Sequence, residues 1–324
     1  MAFVVFYHVN IELRVMGRDP LLAPIDAGPN VEFGQLGTVL FIILAGFTSV
    51  LSYERIDKQG TQRAGSYYRK RLLAILPAFY IAYFLAFILI LLPSARLNWR
   101  FVFTLLGVDG YLSAHGVQTF YLVGEWFTGC ILALYLLFPL IYLAAKKQPV
   151  LTLILAVALK VGAILLIFRT GLTDCDILFY GPDFIFGVLA ALYLKKPNLY
   201  LGFGALALSI LLFIVKIPVN YRFMISPLGL SVFVAVLMLV GKLEEKAALK
   251  GLRKIFSPIA RYSYAVFLTH HVLILRVFGS ADPNMGRKQY LLYFLIFIFF
   301  TAGSAVIVQS AADTVKKALF RRPQ

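Results

Sequence analysis

Cysteine and charge are both scarce in this chain of 324 residues. Its two cysteines are Cys130, inside an apolar run, and Cys175, in a short connection. They offer neither a disulfide framework nor the paired spacing of a thiolate metal site, so redox chemistry has no support. Charged residues make up 14% of the chain, where a soluble domain carries about 25%. Long polar stretches are also missing: the longest, "YERIDKQGTQRAGSYY" (53–68), is a basic, Gly-punctuated connection rather than a soluble domain. The start "MAFVVFYH" has no basic residue and "HVNIELR" no small-residue cleavage site, which argues against a cleaved secretory leader.

What the chain has in quantity is apolar sequence. It is 61% hydrophobic, with a mean hydropathy of +0.85, so the expected class is an all-α polytopic membrane protein. Apolar windows predict ten spans, at 1–16, 36–53, 72–93, 119–145, 149–168, 177–194, 199–215, 223–241, 262–279 and 289–310. Their unbroken Leu, Ile, Phe and Val runs lack the alternation of a membrane barrel. Lys and Arg total 31 against 15 acidic residues, and most of the basic ones fall in alternate connections and the C-terminal tail. That places both termini in the cytosol and explains the excess without a nucleic-acid partner. The chain reads as one integral membrane domain over 1–324, with membrane lipid as its surroundings. Within "LNWRFVFTLLGVDGYLSAHG", an apolar piece of about 12 residues is too short to span. It is expected to lie in the outer interface or re-enter, covering the mouth of any outer cavity.

Ionisable groups at membrane depth cost about 2.5–3.5 kcal/mol on insertion scales, so they ordinarily face a cavity or a partner. The candidates in the predicted spans are His8, Glu12, Glu125, Lys160, Asp183, His270, His271 and Arg276. His8 and Glu12 are four apart and share a helix face, where a carboxylate can orient an imidazole and favour its charged form. The alternative is that Glu12 and Arg14 only mark the outer end of the span, with His8 bonded to a neighbouring helix. His270 and His271 point to different sides of a helix, so one of them at most is expected to face a given cavity. Lys160 and Arg276 have stems long enough to snorkel. The run "YYRKRLLAILP" offers Arg69 and Arg71, whose forks suit phosphates, although cytosolic positive charge accounts for such a run equally well.

Five stretches in order resemble the acyltransferase 3 family of integral membrane acyltransferases: "VVFYHVN", "GQLGTVLFIILAGFTSVLSYERI", "YYRKRLLAILPAFYIAYF", "EWFTGCILALYLLFPLI" and "YSYAVFLTHHVLI". The resemblance covers nearly the whole chain. It implies transfer of an acyl group, acetyl as the first expectation, from cytosolic acyl-CoA to a hydroxyl of an envelope or extracellular carbohydrate, in the bacterial cytoplasmic membrane. Acyl-CoA would be a co-substrate, with no bound cofactor and no metal. His8 falls on the family's catalytic histidine, with Glu12 as its companion. Arg71, with Arg69, would hold the donor, and Glu125, Trp126 and His270 would line the acceptor side. Ala74 stands where the family's third span has a second Arg, and the family's basic residue upstream of the catalytic His is missing. An upstream extension of the reading frame is therefore expected to restore it and to lengthen the short first span. The reading from another class is a glycan exporter or an inactive relative.

The charge asymmetry predicts that 54–71 and 242–261 face the cytosol while 94–118 faces outward. A cysteine placed at Gly60 should resist an impermeant thiol reagent on intact cells and react after permeabilisation; labelling in intact cells would mean the opposite orientation.

Overall fold

The computed structural model describes the chain except for residues 16, 18–31, 58–62, 89–98, 120–122, 124, 244–246, 280, 283–284 and 321–324. Among the described residues the regular structure is entirely helical: α1 (Ala2–Val15), α2 (Phe33–Asp57), α3 (Arg63–Ala86), α4 (Phe101–Leu105), α5 (Asp109–Ala114), α6 (Glu125–Lys147), α7 (Pro149–Thr170), α8 (Ile177–Tyr193), α9 (Leu199–Ile214), α10 (Tyr221–Leu243), α11 (Ala247–Phe278) and α12 (Arg287–Phe320). Every predicted span overlaps one of the long helices. Five of these, α2, α6, α7, α10 and α12, are long and apolar enough to cross a membrane, and α8 and α9 are shorter apolar helices.

The helices overrun the apolar windows that located them. The expected connection 53–68 is largely helical, since α2 runs to Asp57 and α3 begins at Arg63. Likewise α11 already starts at Ala247, inside the expected connection 242–261. Hydropathy marks where a helix meets lipid, whereas Lys, Arg, Glu and Gln are good helix formers that carry the same helix onward into water. Packing fixes one of these extensions: Tyr67 is fully buried, stacks on Phe138 at 4.7 Å and donates a hydrogen bond to Ser49 at 3.1 Å. The short apolar piece after Trp99 forms two small helices, α4 and α5.

The chain divides into two compact units. One comprises 27–70 and 130–254; the other comprises 1–26, 71–129 and 255–324. In the first, α2 and α8 cross backbone to backbone at two glycines. A Cβ on Gly46 would strike the carbonyl of Phe184, and one on Gly187 would strike that of Ile43. In lipid, where apolar side chains gain little by meeting one another, such close approach is a main source of helix association. Lys160 of α7 does not snorkel. Its ammonium is buried, donates to Asp183 Oδ2 at 3.0 Å and to the Phe179 carbonyl at 2.8 Å, and lies 3.4 Å from the Phe179 ring centre.

In the second unit, α11 is packed on two sides. Ala265, Phe267, Leu268 and Val272 meet Ala78, Phe79, Ala82 and Tyr83 of α3 and Ala305, Val308 and Ala312 of α12. Val5, Val9 and Leu13 of α1, four apart, form a stripe against Ile274 and Phe278 of α11 and Phe297 of α12. This second packing sets the depth and rotation of α1.

The glycine crossing predicts that Gly187→Leu destabilises the detergent-solubilised protein by at least about 1–3 kcal/mol, the cost typical of overpacking, seen as a lowered thermal midpoint, because the obstacle is backbone and cannot swing aside. Gly162→Leu, at an exposed position where a Cβ meets nothing within 4 Å, should leave the midpoint nearly unchanged.

Candidate active site

The Val5–Val9–Leu13 stripe seats α1 on α11 and α12, and His8, which flanks that stripe around the helix, is brought up to α11 by the same packing. There His8 Nδ1 lies 2.8 Å from His270 Nε2. The ring of His271 is closer still to that of His8, with centroids 4.2 Å apart. Ligand nitrogens of the three histidines all fall within 4.8 Å of one another. The expectation that only one of His270 and His271 faces a given site is therefore corrected. Neighbours on a helix diverge by 100°, not 180°, and a third ring entering between them reaches both.

Hydrogen bonding orders the protons. His270 is fully buried, and its Nδ1 sits 2.7 Å from the Phe267 carbonyl and 3.2 Å from that of Val266. Carbonyls only accept, so Nδ1 of His270 is the protonated nitrogen. A ring carrying that one proton has its lone pair on Nε2. That lone pair accepts the Nδ1 proton of His8, which places the lone pair of His8 on Nε2. The tautomer of His8 is thus set by a main-chain carbonyl acting through a second imidazole.

The remaining predicted residues stand as follows. Glu12 is half-buried one turn along α1 from His8. Arg71 is half-buried on α3 and Arg69 exposed. Glu125 opens α6, but its side chain is outside the described residues. Trp126 is half-buried and meets the ring of Phe127 edge-on at 6.1 Å. Phe127 in turn lies 5.2 Å from Phe267, and Phe267 lies 5.9 Å from His270. An aromatic chain therefore joins Trp126 to the histidines.

Sequence reasoning passed over Asp109, at the start of α5. Burial pushes this carboxyl up to about 6, against hydrogen bonds from the Gly110 N–H and the Thr104 hydroxyl. The Thr104 hydroxyl lies between Asp109 Oδ2 and the Tyr83 hydroxyl, at 3.3 and 3.4 Å. A lone acid in a connection too short to span gave no signal of burial; α4 and α5 create it by folding back on α3.

A family model described as an acyltransferase domain, that of acyltransferase family 3, matches residues 1–309. The chain belongs to the acyltransferase 3 family. No curated protein and no solved structure shows a match to it. Membership and the apolar helices together make this a membrane protein of acyltransferase type. The family match begins ahead of His8 and extends past His271, so all three histidines fall inside it.

With four histidines in the chain, nitrogen-15 spectra of histidine-labelled protein can resolve the proposed proton order. His8 should carry its proton on Nδ1. His270→Leu should shift His8 toward the Nε2–H form that imidazoles otherwise favour; an unchanged His8 spectrum would remove His270 from this role.

Proposed function

We propose that this acyltransferase moves an acyl group, acetyl in the first instance, from cytosolic acyl-CoA to a hydroxyl of an envelope or extracellular glycan, in the bacterial cytoplasmic membrane. The observation that carries the reading is the His8–His270 pair at 2.8 Å, inside the region matched by the family.

An alcohol attacks a thioester poorly while it keeps its proton, and an imidazole whose basicity lies near working pH is suited to take it. In this reading His8 Nε2 accepts the acceptor's hydroxyl proton as the sugar oxygen bonds to the acyl carbon. The carbon–sulfur bond then breaks, and the proton passes from His8 to the departing CoA thiolate. As the His8 ring becomes cationic, the Nε2 lone pair of His270 accepts a stronger, charge-assisted hydrogen bond from His8 Nδ1–H. That gain is largest in the transition state, where it lowers the barrier.

The donor's phosphates would be held from α3, where Arg71 offers a guanidinium fork and Arg69 adds positive charge near the cytosolic end. Trp126 and Phe127 would offer a ring face to the apolar face of an acceptor sugar, and Glu125 would accept hydrogen bonds from its hydroxyls. Glu12, one turn from His8, would add negative charge that favours the imidazolium.

His8→Ala should lower glycan acylation by about 10²-fold to 10⁴-fold, the usual contribution of a general base, or more where the residue is also a nucleophile. Mass spectrometry of the envelope glycan reads this directly, with expression and thermal midpoint of the variant as controls. Undiminished acylation by well-folded His8→Ala protein would exclude the assigned role. A glycan equally unmodified with and without the intact gene, coupled to loss of its export, would favour the exporter reading.

A further inference from the structure

We propose that His8, His270 and His271 form a site for a divalent transition metal, zinc by its chemistry, and that the metal displaces the proton His8 and His270 share. The ligand set is the first argument. Three imidazoles bring nitrogens within 4.8 Å of one another from only two helices. Imidazole suits zinc, copper, nickel and iron, whereas magnesium and calcium want oxygen ligands. Three protein nitrogens leave a fourth tetrahedral position for water, the composition of a reactive rather than a closed structural site.

Outer support is the second argument. A metal-binding histidine ordinarily donates its other ring N–H to a carbonyl or carboxylate, which fixes the tautomer and raises the basicity of the ligating nitrogen. His270 has this arrangement: its Nδ1 is on the Phe267 carbonyl at 2.7 Å, and its Nε2 points at His8. The adjustment needed differs between the pairs. Zinc–nitrogen bonds of about 2.0–2.1 Å put tetrahedral ligand atoms about 3.3–3.4 Å apart. The His8–His270 pair, at 2.8 Å, would open by about half an ångström, and His271 would turn inward.

The proton balance gives the consequence. For His8 Nδ1 to ligate, its proton leaves to water and Nε2 takes one up, so the ring is neutral before and after. Nε2 then carries a proton and cannot accept another. Metal occupancy and proton acceptance by His8 thus exclude each other, and the metal is a reversible inhibitor. This last step rests on the acyl-transfer reading; the binding itself does not.

Untagged full-length protein in detergent, titrated with Co²⁺, should develop the intense visible bands of a tetrahedral cobalt centre at one equivalent. Zn²⁺ should bleach them and Mg²⁺ should not. His271→Ala and His271→Gln, checked for an unchanged thermal midpoint, should weaken binding at least tenfold. Absence of the bands in wild-type protein, or equal binding by both folded variants, would overturn the site. In the activity arm, Zn²⁺ should suppress acyl transfer by the wild type, a chelator should restore it, and whatever transfer His271→Ala retains should be insensitive. Tight metal binding with undiminished transfer would overturn the displaced-proton mechanism. Metal binding by a protein that transfers no acyl group would leave the site standing and refute the catalytic reading instead.

Discussion

A neutral imidazole in an apolar interior has one donor and one acceptor to satisfy, and each left unsatisfied costs on the order of 1–3 kcal/mol. In this protein the debt of His270 is met by the Phe267 carbonyl on one side and by His8 on the other. That constraint fixes the tautomer of both rings and requires α1 to be held at one height against α11. The Val5, Val9 and Leu13 stripe supplies the hold through Ile274 and Phe278. α11 is itself fixed by small residues of α3 and α12, including Ala78, Ala82, Ala305 and Ala312. The chemistry thus depends on helix packing several turns deep, with two imidazoles as its outcome.

Much of this was legible because lipid permits few alternatives. Every backbone polar group in hydrocarbon must be paired internally, so apolar windows can be read as helices, and each predicted window falls on one. His8 and His270 were identifiable as candidates because ionisable groups in apolar windows are costly wherever those windows meet lipid. Helix ends were less legible. The sequence 53–68 looks like a connection by composition, while its structure is decided by the burial of Tyr53 and Tyr67 among Phe138 and Tyr142.

The partnership of side chains distant in sequence was the least legible level. Residues 8 and 270 meet through tertiary packing that no local period encodes. The inclusion of His271 follows from the 100° helical step once a third ring is known to enter between the two. Lys160 shows the same limit from the other direction. A long stem can snorkel or pair, and only the location of Asp183 on the neighbouring helix decides. Family membership, carried by the match over 1–309, contributes the class of reaction, while the geometry contributes the proton order at His8.

The central claim is that His8, oriented by His270, accepts a hydroxyl proton during acyl transfer. The most direct test reconstitutes the purified protein in vesicles with isotope-labelled acetyl-CoA on the cytosolic side and the native glycan as acceptor. The account predicts labelled acetyl groups on carbohydrate oxygen at a rate that depends on His8 and falls when the His8–His270 hydrogen bond is broken by His270→Leu. Label that never reaches the carbohydrate, or reaches it equally well without the His8 imidazole, would contradict it.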